Sequence, residues 1–73
     1  MPDLPSISGK KAIKVFGRLG FVAARQRGSH VVLRKGSCGC VVPLHKSLAK
    51  GTLRGAIKQA GLSVDDFLGE YKK

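Results

Sequence analysis

The chain has 73 residues, a formal net charge of +10 and a pI near 10.4, with fourteen Lys and Arg against four Asp and Glu. A chain this short forms one domain, residues 1–73, and buries only about 60% of its unfolded surface, which excludes a second core and argues against a deep substrate pocket. Any chemistry therefore belongs on an open surface. The charge asks for a polyanionic partner, nucleic acid foremost, because solubility alone is met by mixed-sign surfaces with less net charge.

The first residues, MPDLPSISGKK, lack the apolar core of a secretory signal, and no stretch approaches the roughly 20 apolar residues of a membrane span. Cys38 and Cys40 are too few and too close for a disulfide framework. A reducing, cytoplasmic setting is the expectation.

In chain order, residues 1–5 read as a short extended lead that includes Asp3. Ser8 is an N-cap candidate for a helix over 9–19, whose Ala12, Ile13, Phe16 and Leu19 follow helical spacing. Gly20 is a natural stop, with Phe21 as its hydrophobic closure. Strands follow at 21–27 and 30–35, joined by Gly28-Ser29, the Gly-first pattern of a two-residue II′ hairpin turn. That turn sets the pairing: Arg27 faces His30, Gln26 faces Val31, Arg25 faces Val32, Ala24 faces Leu33 and Ala23 faces Arg34. Opposed residues share a sheet face and successive ones alternate. Val22, Ala24, Val31 and Leu33 then form a core face. Arg25, Arg27, His30 and Arg34 surround Val32 on the other.

Gly36-Ser37 offers a second turn into a strand at 38–42, ended by Pro43. The same loop length sets Leu33 against Cys40, Val31 against Val42 and His30 against Pro43. A basic connection from Leu44 to Gly51 has room for a helical turn. Thr52 is an N-cap candidate for a helix to Ala60, with Leu53, Ala56, Ile57 and Ala60 as its apolar stripe. Ser63-Val64-Asp65-Asp66 resembles a capping box with Asp in place of Glu, opening a short helix that turns Phe67, Leu68 and Tyr71 inward. The fold class is α+β: an α-β-β-β-α order with a three-stranded antiparallel sheet, helices on one face and an extra C-terminal helix. This is a dsRBD-like architecture, and it leaves the Arg/His face open.

Cleavage of RNA needs no protein nucleophile and no metal, because the 2′-OH is already present. It needs a base for the 2′-OH proton, an acid for the departing 5′-oxygen and cations for the phosphate. His30 can serve in that proton transfer, with Arg25, Arg27 and Arg34 as phosphate ligands; the plainer alternative is a strand histidine that only contacts phosphate. His45 emerges near the same sheet edge and is a possible auxiliary, unless Pro43-Leu44-His45 is simply a structural stop. Lys46, Lys50 and Arg54 bracket the start of the Thr52 helix and suit phosphate binding, as this region does in dsRNA-binding domains. Two cysteines and two histidines invite a zinc reading, but Cys-x-Cys is closer than structural zinc sites favour, and the register sends Cys40 to the core face, away from His30. No metal and no cofactor is expected. The competing classes are a non-catalytic RNA-binding module and DNA binding by the Thr52 helix. The latter is weakened by the few base-reading side chains that helix exposes.

Several stretches together resemble one family. Ser8-Gly9-Lys10 with Leu19-Gly20-Phe21, then Arg25-Gln26-Arg27-Gly28-Ser29-His30, Val42-Pro43-Leu44-His45-Lys46, Lys50-Gly51-Thr52-Leu53-Arg54 and Gln59-Ala60-Gly61-Leu62-Ser63 run in order over nearly the whole chain. They are similar to the HicA toxins of HicA–HicB toxin–antitoxin systems. The Cys38/Cys40 hairpin departs from that pattern. The resemblance implies a dsRBD-like fold, endoribonuclease (mRNA interferase) activity in the free toxin, and neutralisation by a HicB-type antitoxin. The family's catalytic histidine, in the Gly-Ser-His element, maps to His30. An acidic antitoxin covering the His30 face is the expected protein partner and mRNA the substrate, with no membrane and no DNA contact by this chain alone.

Overall fold

Helix α1 (Gly9–Arg18) begins at the residue the sequence marks, because the Ser8 hydroxyl accepts the Lys11 N–H at 3.0 Å. The computed structural model describes residues 4–73 and continues with β1 (Val22–Arg27), β2 (His30–Lys35), β3 (Cys38–Pro43), α2 (Lys50–Gln59) and α3 (Val64–Tyr71). Residues 1–3, with Asp3 and the start of the expected lead, lie outside the described residues. The rest of that lead is more than a lead: Leu4 is buried in the core, as is Ile7 just beyond it.

The strands form one antiparallel sheet in the order β1-β2-β3. Gly28 has φ +55° while no non-glycine among the described residues, Ser29 included, takes a positive φ, which fits a II′ turn and excludes I′. Three rows of the first hairpin follow the sequence register: Arg27 opposite His30, Gln26 opposite Val31, Arg25 opposite Val32. The next two do not. The register shifts between Ala23 and Arg25, so Ala23, not Ala24, stands opposite Leu33, and Val22, not Ala23, stands opposite Arg34. One extra residue in β1 reverses the parity beyond it. Val22 therefore leaves the expected core face and is 65% exposed, and Ala24 is exposed as well. The second hairpin keeps the expected register throughout, with Pro43 extending β3 by one residue.

Val31, Leu33, Cys40 and Val42 face the helices and are buried. Helices α1 and α2 pack on β3, and α3 packs on α1 and α2. Phe16 is the hub of the core, edge-on to Phe21 at 5.7 Å and tilted against Phe67 at 5.2 Å between ring centroids. Every residue of β1 is exposed, so this strand projects beyond the helical layer. The outer edge of β3 is partly covered instead, since the Val41 N–H donates to Gln59 Oε1 at 3.3 Å.

Thr52 does not cap α2. The helix starts at Lys50, with Ala49 in the cap position and no side-chain cap bond. Burial decides the start: Leu48 and Leu53 are both in the core, and the Leu48 N–H donates to Ile7 O at 2.8 Å, which fixes the chain one turn before Thr52. The connection before it bends at Lys46 and Ser47 without a helical turn. The capping box of α3 is complete, with the Asp66 N–H donating to Ser63 Oγ at 3.0 Å and the Ser63 N–H to Asp66 Oδ2 at 3.1 Å. The Ser63 backbone N–H first, and then the Ser63 side chain, hold the Asp66 carboxyl below its ordinary pKa.

Candidate functional site

The open face of the sheet is built in three rows. Since Val31 and Leu33 point to the helices, His30, Val32 and Arg34 point away from them, and their partners share that side. The first row is Arg27, His30 and Pro43; the second is Arg25, Val32 and Val41; the third is Val22, Arg34 and Gly39. His30, Arg25, Arg27 and Arg34 are all exposed. All four thus stand on one face, but not at one point. Directly opposed side chains begin about 5 Å apart and diagonal ones about 7–8 Å, so Arg27 and Arg25 both reach the space over His30. Arg34 lies four residues along β2 from His30, about 13 Å of strand, and addresses a different part of any polyanion on this face. The acids Asp65, Asp66 and Glu70 belong to α3, in the helical layer, so none among the described residues offsets the arginines from within the sheet.

The cysteines lie elsewhere. Cys40 is buried on the core face, and burial pushes its thiol up to about 11. Cys38 shares that side of β3 but is exposed, with its Sγ near Gly61. His30 points to the opposite face, so the two cysteines and His30 do not converge. Among the described residues no three His, Cys, Asp or Glu side chains come together as a metal-holding group.

His45 follows β3 by two residues, at the His30 end of the sheet. Its segment is held firmly: the Leu44 N–H donates to Ser29 O at 2.6 Å and the Gly9 N–H to His45 O at 2.9 Å. Gly9 is needed there, because a side chain on it would run into the Pro43 carbonyl, with Pro43 C at 2.9 Å and Leu44 Cα at 3.1 Å. The imidazole itself is exposed. Lys46 is exposed at the following bend, Lys50 opens α2, and Arg54 is exposed one turn later. Sequence reasoning missed the surface these residues make with the start of α1. Ser8, Lys10, Leu44, His45 and Lys46 line a cavity of about 460 Å³. Its two walls lie more than thirty residues apart in the chain, and only the fold brings them together.

The family model described as the HicA toxin of bacterial toxin–antitoxin systems matches residues 9–62. The chain belongs to the HicA toxin family. No curated protein matches it significantly. The matched span runs from the first residue of α1 to just beyond α2 and includes His30, His45 and all six cations of the expected site. Helix α3, with the three described acids, lies beyond it. As a HicA-family chain the protein is the toxin side of a toxin–antitoxin system, and an antitoxin partner goes with that role. Among the described residues no helix is long and apolar enough to cross a membrane.

Proposed function

We propose that this HicA-family toxin is a metal-independent endoribonuclease that cleaves mRNA through a single catalytic histidine, His30, and that a HicB-type antitoxin neutralises it. The observation that carries the proposal is the first row of the open face. There, an exposed imidazole stands opposite a guanidinium, with a second guanidinium on the diagonal, on a surface that a polynucleotide can lie across. In the reaction His30 removes the proton from a 2′-OH, the 2′-oxygen forms a bond to phosphorus, and the bond from phosphorus to the 5′-oxygen breaks. The products are a 2′,3′-cyclic phosphate and a 5′-hydroxyl, the latter protonated from the solvent that bathes this open face. Arg27 and Arg25 stabilise the charge that develops on the phosphate. Arg34, Lys46, Lys50 and Arg54 hold flanking phosphates. An mRNA substrate sets the cytoplasm as the place of action.

A His30→Ala variant tests this, assayed on an mRNA fragment with chelator present. Removing a general base costs about 10²- to 10⁴-fold, so cleavage falls at least that far while RNA binding persists. A non-catalytic RNA-binding module on the same fold would show no cleavage in the wild type either.

A further inference from the structure

We propose that the cavity between the start of α1 and the Leu44–Lys46 segment seats one unpaired nucleotide of the RNA, next to the phosphate over His30, with Leu44 and His45 as its base platform and Lys10 and Lys46 on its phosphate. The proposal rests on the ribonuclease reading and adds to it a subsite for one base of the single-stranded substrate.

Position is the first support. Pro43 stands opposite His30 in the sheet, and Leu44, the next residue, is tied to Ser29, the turn residue just before His30. The cavity wall therefore begins one residue beyond the partner of His30. The cavity thus lies at the His30 end of β3, where a strand leaving the open face rounds the end of the sheet.

Composition is the second. The lining combines one aliphatic side chain, one imidazole, one hydroxyl and two amines, with no acid. Leu44 is 39% exposed, one of the few large apolar side chains at the surface, and it sits among cations. Lys10, His45 and Lys46 make no side-chain hydrogen bond or ion pair among the described residues, whereas the Ser8 hydroxyl is already used on the Lys11 N–H. A lining that combines an apolar side chain, an aromatic ring and two amines matches a flat base carrying a phosphate. Proteins that hold single-stranded RNA stack its bases on such rings and track its backbone with cations. A base inside a duplex has both faces covered and cannot enter.

Rigidity is the third. Besides the Gly9–His45 and Leu44–Ser29 bonds, Ser6 and Ser47 share a hydroxyl contact at 2.8 Å and Leu48 bonds to Ile7. The segment is held at its Leu44 end by the β1–β2 turn, at His45 by the first residue of α1, and at Ser47 and Leu48 by the chain before α1. The cavity is thus formed before any ligand arrives, and its volume of about 460 Å³ lies within the range of about 300–1,000 Å³ for small-ligand clefts. In this reading His45 works through its ring face, and proton transfer belongs to His30 alone.

The test uses the full chain carrying His30→Ala, so that RNA is bound without being cut, and follows a labelled single-stranded oligoribonucleotide by fluorescence anisotropy. Adding His45→Ala lowers affinity about 5- to 160-fold, the range for loss of one stacked base, and His45→Phe, which keeps the ring and loses the nitrogens, restores most of it. A fully paired duplex of the same sequence shows no dependence on residue 45. Equal affinity of the His45→Ala and parent proteins overturns the proposal, as does failure of Phe to restore binding while thermal melts remain unchanged. No binding by the parent at all overturns the ribonuclease reading itself and the subsite with it.

Discussion

Alanine at Gly9 lowers stability and alanine at Gly17 raises it, although both glycines lie in α1. In a helix, Ala is favoured over Gly by about 0.5–1 kcal/mol because the unfolded glycine has more conformations to lose. At Gly17 nothing lies within 4 Å of an added Cβ, so that gain is realised in full. At Gly9 the added carbon meets the Pro43 carbonyl and Leu44 Cα, backbone atoms that cannot swing aside. Overpacking of this kind costs about 1–3 kcal/mol. Separation of the helix from the loop also weakens the Gly9 N–H bond to His45 O, with a net worth of about 0.5–1.5 kcal/mol. The balance is a loss of about 2 kcal/mol. At about 4–8 °C per kcal/mol for a domain of this size, Gly9→Ala melts about 8–16 °C lower than wild type and Gly17→Ala about 2–8 °C higher. Thermal melts followed by circular dichroism read both. A Gly9→Ala protein as stable as wild type would refute the close approach that joins α1 to the His30 end of the sheet.

Other outcomes follow from the same structure. A thiol reagent at pH 8 modifies Cys38 alone in the native protein and both cysteines in denaturant; equal native rates would contradict the burial of Cys40. Because burial pushes the Cys40 thiol from 9.0 up to about 11, the unfolded chain ionises first, and the stability from this site is complete below pH 9 and declines toward pH 11. Cys40→Ala removes that part of the alkaline loss. Reversing Lys46 and Lys50 to Glu weakens RNA binding and flattens the slope of log affinity against log salt by about 1.4, two phosphate contacts at about 0.7 each for single strands; an unchanged slope denies them that role. A HicB-type antitoxin bound to this chain slows amide exchange across residues 25–34; protection confined to the helices would place the partner on the other side of the molecule.

The parts of the fold that could be read from the residues are those with local chemical marks. Gly28-Ser29 and Gly36-Ser37 fixed two hairpins, Ser8 and the Ser63–Asp66 pair fixed two helix starts, and together they put His30 opposite Arg27. The bulge in β1 left no such mark. Val22, Ala23 and Ala24 are all apolar, so no alternation betrays which of them faces the helices, and an exposed edge strand imposes no burial that would decide it. Thr52 misled because a good capping residue lost to the burial of Leu48 and Leu53 on either side of the true start. Leu4 and Ile7 sit in a short segment between prolines and serines without a period to read. The cavity was out of reach for a different reason, since residues 8–10 and 44–46 are far apart in the chain and are joined at Gly9 by the fold. The reach of the arginines depends likewise on the register, which brings Arg25 and Arg27 to His30 and leaves Arg34 two rows away.

The central claim is that His30 cuts RNA. The most direct measurement is cleavage of a defined single-stranded mRNA fragment by wild type and His30→Ala, both with excess chelator and with binding measured alongside. The account predicts a wild-type product ending in a 2′,3′-cyclic phosphate, cleavage at least about 10²-fold slower in the variant, and near-equal binding by the two. Undiminished cleavage by His30→Ala, or wild-type cleavage abolished by the chelator, would contradict it.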